Sequence, residues 1–178
     1  MKPIAIPLAQ LRDALEYRDG ALFWKAQRRA IAGGRRAGTK TAKGYRQVCL
    51  NGRLYLEHRL VWCWHSNQDL PASVEIDHIN RIRDDNRIEN LRLASSSLNK
   101  ANSSRRRSAS GYIGVARNGP GWQARCGGWK SGGQHGVIGQ FRTAEEAAKA
   151  YDCAAMELYG PFARQNHARN EQGTGEQP

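Results

Sequence analysis

A short polar segment divides this chain into two parts. Residues 103–111 combine small polar residues with three adjacent arginines and show no apolar periodicity, a pattern typical of a flexible basic linker. The arginine run could equally act as a localisation signal or a solubilising tether. Because only 39% of the 178 residues are hydrophobic, one large core is not expected. We therefore predict two small α+β modules, residues 1–104 and 111–167, joined by a linker at residues 105–110.

The charge of the chain points to a polyanionic partner. Lys and Arg number 28 against 16 Asp and Glu, a formal net charge of +12, which excludes an acidic solubilising protein. Between positions 20 and 56 there are basic residues and no acidic one: Lys25, Arg28, Arg29, Arg35, Arg36, Lys40, Lys43, Arg46 and Arg53. A solvated face usually mixes signs, so this segment predicts a phosphate-binding surface.

Neither a membrane span nor a signal peptide is expected. No stretch approaches 18 consecutive apolar residues, and prolines at positions 3 and 7 interrupt the start of the chain. The four cysteines lie far apart without a Cys-x-x-Cys pair, which predicts free thiols. Residues 168–178 lack large apolar side chains and are expected to be disordered. We expect a cytoplasmic protein with no membrane partner and no obligatory protein partner.

Local patterns predict the elements of the first module. Leucines at helical spacing indicate a helix over residues 8–19, followed by a strand at residues 22–24. Residues 44–50 and 53–56 flank an Asn-Gly dipeptide, the strongest short signal for a hairpin. The strongly apolar residues 58–65 predict a helix packed beneath whatever follows.

The next segment carries the candidate chemistry. Residues 74–78, 84–93 and 95–102 predict a strand, a loop with a second strand, and a short helix capped by a serine at position 95 or 96. Four polar residues fall on these elements and could converge there: Asp77, His78, Asn90 and Asn99. Alone, an Asp-His pair or an Asn is usually part of a surface turn. Together they predict a catalytic site.

Phosphodiester hydrolysis would use these groups. A histidine near its ordinary pKa of about 6.5 can act as a base at neutral pH, which suits His78. The oxygens of Asp77 and Asn99 suit Mg²⁺ or Mn²⁺, and the amide of Asn90 can support the loop. Since neighbouring strand residues point to opposite faces, Asp77 and His78 can address one phosphate only if the strand ends or bulges there.

These residues resemble a known nuclease family. The motifs DHIN at residues 77–80 and DNRIENLR at residues 85–92, with Asn99, are similar to HNH homing-type and phage-type endonucleases of the ββα-metal fold. The resemblance covers residues 20–104 and implies the following roles: His78 general base, Asp77 and Asn99 metal ligands, Asn90 structural. The final family histidine is Asn here, which favours Mg²⁺ over Zn²⁺. His58, in the preceding helix, is expected to be structural or to contact phosphate.

The second module is predicted to be a sheet with one helix. Three β-like runs, at residues 112–117, 122–129 and 136–141, predict a three-stranded antiparallel sheet. A capping box at residues 143–146 begins a helix whose apolar positions extend to Leu158.

Charge separates the two layers of this module. The sheet segment carries Arg117, Arg125, Lys130 and Arg142 without an acid, whereas the helix is acidic. Trp122 and Trp129 interleave with the cations, although Trp122 could equally be a core residue. We therefore predict a sheet that faces DNA and a helix that faces water.

The second module also resembles a known family. The runs GYIGV at residues 111–115, WQAR at residues 122–125 and TAEEAAKAYD at residues 143–152 are similar to the APETALA/ethylene-response-factor type DNA-binding domain. The resemblance implies major-groove reading by the sheet, with contacts from Arg117, Trp122 and Arg125. The chain departs from the family pattern at Ile113 and Val137.

The sequence thus predicts a metal-dependent DNA endonuclease targeted to double-stranded DNA by its second module. Tethering two weak binders raises their effective concentration on the same DNA. Two other classes stay open at this point. One is a non-catalytic DNA-binding protein with a decayed nuclease, against which the intact site residues argue. The other is a protein that binds or cuts RNA.

Overall fold

The fold combines small antiparallel sheets with α-helices, the predicted α+β class. This computed structural model describes residues 8–26, 32–71, 73–103, 108–131 and 134–167, without the side chains of residues 128–135. The predicted linker core and the predicted disordered tail lie outside these ranges. The chain divides into two compact units, residues 1–99 and 100–178. Within the described ranges, no helix has the length and apolar character needed to cross a bilayer.

The chain enters the first unit through a helix and a hairpin. Helix α1 spans Leu8–Ala14, and strands β1, Leu15–Arg18, and β2, Ala21–Trp24, pair antiparallel. The prediction of a helix extending to residue 19 was wrong. Asp19 and Gly20 have φ values of 43° and 78°, the positive pair of a tight hairpin turn, and pairing with β2 converts the second half of the predicted helix into a strand.

The second hairpin confirms the prediction from the Asn-Gly dipeptide. Strands β3, Thr39–Lys40, β4, Arg46–Leu50, and β5, Arg53–Leu56, form an antiparallel sheet in the order β3-β4-β5. The φ values of the two turn residues between β4 and β5 are 51° and 78°, again the mirror-image turn that matches the twist of the strands.

Helix α2, Glu57–Ser66, lies at the centre of the first unit. Its Leu60, Val61 and Cys63 are fully buried, which confirms the prediction of a helix covered by other elements. They pack in a cluster with Leu11, Leu15, Leu22, Val48, Leu50, Ile76 and Leu91. Because the core packs around α2, residues at the start of this helix lie close to elements that come later in the chain.

The order strand, loop, strand, helix is confirmed. Strand β6, Glu75–His78, pairs antiparallel with β7, Leu91–Ala94, and helix α3, Ser96–Asn102, follows. One 3-10 turn, Ile88–Asn90, leads into β7. The side chain of Ser95 accepts a hydrogen bond from the N–H of Leu98 at 3.3 Å, as an N-terminal cap does.

The second unit is a three-stranded sheet with one helix on it. Strands β8, Val115–Asn118, β9, Gly121–Ser131, and β10, Gln134–Phe141, form an antiparallel sheet in the order β10-β9-β8. Strand β8 begins three residues later than predicted because the chain turns at Gly114, whose φ is +72°.

Helix α4, Ala144–Tyr159, covers one face of that sheet. The capping box between Thr143 and Glu146 is present as predicted. The buried residues of α4 include Ala147, Tyr151, Ala154 and Ala155, and they pack against Ile113, Val115, Ala124 and Cys126. All four cysteines of the chain are free.

Candidate functional site

Asp77 and His78 are adjacent, buried, and directed at different neighbours. The carboxylate Oδ2 of Asp77 accepts hydrogen bonds from Arg92, its cross-strand partner on β7, with Nε at 2.8 Å and Nη2 at 2.7 Å. His78 lies against the rings of His58 and Tyr45, with centroids 5.1 Å and 6.1 Å away. Strand β6 ends at His78, whose carbonyl accepts from the N–H of Arg81 in a turn. The strand therefore ends at His78, which is the condition stated above for Asp77 and His78 to address one phosphate.

Asn90 ties together the loop between β6 and β7. Its Oδ1 accepts from the N–H of Asn80 at 3.0 Å, and its Nδ2 donates to the Asn80 Oδ1 at 3.0 Å and to the Asp85 carbonyl at 2.7 Å. The N–H of Ile79 donates to the Asn90 carbonyl. These contacts hold the residues that follow His78, which is the supporting arrangement predicted for this amide.

Asn99 is held against β6 by a residue that the sequence did not single out. Its Nδ2 donates to Oε2 of Glu75 at 2.6 Å. Glu75 lies two residues before Asp77 and so shares its face of the strand. With Nδ2 bound to Glu75, the carbonyl oxygen of Asn99 is its remaining acceptor.

The donor set suits a hard divalent ion. A buried carboxylate at Asp77 and an amide oxygen at Asn99 are oxygen ligands of the kind that Mg²⁺ and Mn²⁺ take, together with several waters. Within the described part of the chain, no group of three or more His, Cys, Asp or Glu side chains is placed to hold an ion.

Glu57 and Asn86 were missed by sequence reasoning. Glu57 is fully buried at the start of α2, and Asn86 is 1% exposed in the loop after β6. Asn86 donates to Glu57 at 2.8 Å and lies 2.9 Å from Nε2 of His78. The one available signal was that Glu57 is the first acid after the long acid-free segment. Two buried polar residues are thus connected to the candidate base.

The carboxylate of Glu57 has four partners. Its Oε1 accepts from the N–H of Leu22 at 3.0 Å, and its Oε2 lies 3.4 Å from Arg36 and 3.7 Å from Arg46, besides the contact with Asn86. Burial raises the pKa of Glu57, and the Leu22 N–H and the two guanidinium groups oppose that effect.

The acid-free basic segment is partly neutralised by acids from elsewhere in the chain. Asp84 lies within 3.2–3.5 Å of Lys40, Arg46 and Arg36. Burial acts to raise the pKa of Asp84, but these cations outweigh it and the pKa lies below its ordinary value. The exposed cations of the segment are Lys25, Arg35, Arg36, Lys40, Lys43 and Arg53, and of these Arg36 and Lys40 are paired with Asp84; Arg28 and Arg29 lie outside the described residues. Among the described residues, this surface therefore has fewer unpaired cations than the number of basic residues in the sequence suggests.

His58 is buried, as expected for a structural residue. It is 5% exposed, and its Nδ1 has no hydrogen-bond partner among the described residues. Burial, with smaller contributions from His78 and Arg59, lowers the pKa of His58 to about 3. The ring is therefore neutral in the folded protein at any ordinary pH.

The neutral state of His58 predicts destabilisation in mild acid. Below pH 6.5 the unfolded chain binds a proton at His58 and the folded chain does not until about pH 3, so the free energy of unfolding falls with pH across that window. We expect a loss of about 2 kcal/mol between about pH 7 and about pH 5 from this group, measured by urea unfolding. His58→Phe should remove this part of the slope, and His65→Phe, at an exposed position on the same helix, should retain it. Equal slopes in both variants would contradict the assignment.

In the second unit, the predicted DNA contacts fall on different faces of the sheet. Val115 pairs with Ala124 and both pack toward α4; Arg117 pairs with Trp122 two positions further on, so this pair is on the same face. Arg117 lies over the Trp122 ring at 5.1 Å. Arg125 is exposed on the opposite face. Strand alternation therefore places Arg117 and Trp122 on one face of the sheet and Arg125 on the other.

The remaining predicted contacts are placed as follows. Arg142 is exposed just after β10, and its backbone N–H donates to Glu146 at 3.2 Å. Trp122 is half-buried against the cluster under α4, so its packing role has direct support. The side chains of Trp129 and Lys130 lie outside the described part of the molecule.

Comparison with known proteins identifies the segment that carries the candidate residues. Residues 55–101 match the HNH endonuclease family, a range that begins in β5, ends in α3 and encloses the four predicted site residues. This segment is an HNH endonuclease domain. An uncharacterized HNH endonuclease of Acanthamoeba polyphaga mimivirus is 30% identical over 115 residues, which is 65% of this chain and 58% of that protein. The HNH domain accordingly contains β6, β7 and the loop between them.

A second relative is similar to this chain over a shorter stretch. An ethylene-responsive transcription factor of Arabidopsis thaliana is 50% identical over 50 residues, 27% of this chain and 31% of that protein. The chain therefore spans less than two thirds of the length of either relative.

Proposed function

We propose that this protein is a divalent-metal-dependent DNA endonuclease of the homing or phage type, which hydrolyses phosphodiester bonds. One observation carries the proposal: buried Asp77 and His78 at the end of β6, and the Glu75-bound Asn99 in α3, lie within the HNH endonuclease domain. The net charge of +12 supports a nucleic acid substrate.

In this proposal each residue has one task. His78 accepts the proton of the attacking water, and Asn90 keeps the loop after His78 in place. Asp77 and Asn99 would hold Mg²⁺ or Mn²⁺, which supplies neutralisation of the charge on the phosphate and the departing oxygen. Arg92 keeps the Asp77 carboxylate in a fixed orientation through its two hydrogen bonds to Oδ2.

The second unit is proposed to direct the nuclease to its site on double-stranded DNA. Its sheet presents exposed Arg125 on the face opposite α4, and an arginine on a strand can bond the edge of a guanine in the major groove. The acidic residues of this unit lie on α4, the layer opposite the sheet. The sheet is therefore the more positive layer, which suits DNA binding by the sheet.

Sequencing of cleaved ends tests the proposed activity. The full-length protein is incubated with a mixed pool of DNA duplexes and Mg²⁺, with an EDTA-treated control. We expect metal-dependent ends at preferred positions. Site-specific binding without any cleavage would instead support a DNA-binding protein with a decayed nuclease, and cleavage of RNA but not DNA would support the RNA alternative.

Arg125→Ala is expected to weaken binding to the preferred duplex by roughly 1–3 kcal/mol, because a lost bidentate base contact costs that much. Binding to a scrambled duplex should change far less, as titrations on both duplexes will show. Arg117→Ala is the matched control, since it removes the same charge from the other face of the sheet. If Arg117→Ala impairs site choice and Arg125→Ala does not, DNA reading by the outer face is wrong.

A further inference from the structure

A series of buried hydrogen bonds connects strand β2 to His78. The N–H of Leu22 donates to Oε1 of Glu57 at 3.0 Å, Nδ2 of Asn86 donates to Oε2 of Glu57 at 2.8 Å, and Oδ1 of Asn86 lies 2.9 Å from Nε2 of His78. Glu57, Asn86 and His78 are 0%, 1% and 5% exposed. Buried polar groups in such a series are costly to leave without partners, so each link constrains the next.

When Glu57 is ionised, the donors and acceptors along this series of hydrogen bonds allow one arrangement. An ionised carboxylate can only accept hydrogen bonds, so Asn86 must turn its NH₂ group to Glu57 and its oxygen to His78. That oxygen also only accepts, so Nε2 of His78 must carry the hydrogen. A neutral imidazole has one N–H, and its lone pair is then on Nδ1. Arg36 and Arg46, 3.4 Å and 3.7 Å from Oε2, favour the ionised form of Glu57.

We propose that Glu57 and Asn86 are positioning residues that fix His78 in the tautomer with its hydrogen on Nε2, so that Nδ1 is the nitrogen that accepts the proton of water. The inference rests on the proposed function of His78 as the general base. Neither residue touches the reacting atoms. Asn86 acts through the ring of His78, and Glu57 acts through the orientation of the Asn86 amide.

This support extends beyond the HNH domain itself. Leu22, Arg36 and Arg46 hold Glu57 and lie before residues 55–101. The strands β2 and β4 and the loop before β3 therefore belong to the machinery that orients the base, in addition to any contact they make with DNA.

Imidazole NMR separates this role from simple packing. The full-length protein is labelled with ¹⁵N-histidine, and two-bond ¹H–¹⁵N spectra are recorded well above the ordinary histidine pKa of about 6.5. The His78 signals are assigned by their loss in His78→Ala. We expect the wild-type ring to carry its hydrogen on Nε2. In Asn86→Leu, which keeps the volume but removes the acceptor, the other tautomer should become populated.

Kinetics provides the second measurement on the same variant. Asn86→Leu is expected to lower kcat by about 10-fold to 100-fold, by analogy with the range for groups that orient a metal-bound histidine, with the Kd for DNA unchanged. Asp84→Asn is the matched control, because it alters the same arginine cluster without touching Asn86. It should leave both the tautomer and kcat near wild-type values.

Glu57→Gln tests the hydrogen bond between Glu57 and Asn86. It also covers the case in which Asn86→Leu does not fold. The new amide offers one oxygen to two donors, the Leu22 N–H and the Asn86 NH₂, so part of the population should reverse the Asn86 amide and show hydrogen on Nδ1 of His78.

A wild-type ring with its hydrogen on Nδ1, or an unchanged tautomer and kcat in Asn86→Leu and Glu57→Gln, would overturn the inference. In that outcome His78→Ala would still be inactive if the proposed function holds. Full activity of His78→Ala would overturn the proposed function itself.

Discussion

His78→Ala is expected to reduce the rate of DNA cleavage at least about 100-fold, because the attacking water loses its general base. Since His78 is 5% exposed, its removal should leave the DNA-binding surface unchanged. The cleavage rate is measured in single turnovers with enzyme in excess over a labelled duplex, and the Kd is measured with the metal replaced by Ca²⁺. Asp77→Ala is expected to abolish cleavage as well, since it removes a proposed ligand of the metal.

His65→Ala is the control for His78→Ala. It removes an exposed histidine from α2 and should cleave at the wild-type rate. Near wild-type cleavage by His78→Ala would remove this residue from the mechanism. A large rise in Kd with unchanged single-turnover rate would instead make it a binding residue.

Gly114→Ala is expected to destabilise the second unit by at least about 3 kcal/mol, from backbone strain and overpacking together. The φ of Gly114 is +72°, and a Cβ there would overlap the ring of Tyr151 and lie 2.5 Å from the carbonyl oxygen of Arg125. Tyr151 is 2% exposed, so it has no room to move aside. Calorimetry should show the unfolding transition of this unit lowered by more than about 10 °C.

Gly119→Ala is the matched control for Gly114→Ala. Gly119 also has a positive φ, +59°, but a Cβ there meets nothing within 4 Å. Its replacement should cost about 1 kcal/mol, from backbone conformation alone. Equal losses in the two variants would mean that close packing against Tyr151 does not limit position 114.

Local sequence patterns predicted much of the fold because the signals were strong. The Asn51-Gly52 dipeptide specifies a tight turn by its positive φ values, and the Thr143 to Glu146 capping box satisfies its own helix end. Both interactions lie within three residues along the chain. The error at residues 15–18 has the opposite cause, because Leu15 continues a helical spacing but pairs with Trp24 across a hairpin.

The order of elements around Asp77, His78, Asn90 and Asn99 followed from the sequence, since each element is short and bounded by turn residues. The faces of the second sheet did not follow. Whether Arg117 lies beside Arg125 depends on the register of β8 against β9, which pairs Arg117 with Trp122. A shift of one residue would have exchanged the faces, and no local pattern reports that register.

The sequence by itself indicated the candidate site residues of the HNH segment and determined the basic character of the chain. Only the tertiary structure decided what surrounds them. Asn86 bonds a carboxylate 29 residues away, and Arg36 and Arg46 meet Asp84 at separations of 48 and 38 residues. Hydrogen bonds and ion pairs between distant residues form only when packing brings them together, and they leave no periodicity in the sequence. The tertiary structure therefore decided both which side chains meet His78 and how much of the basic segment is paired with acids.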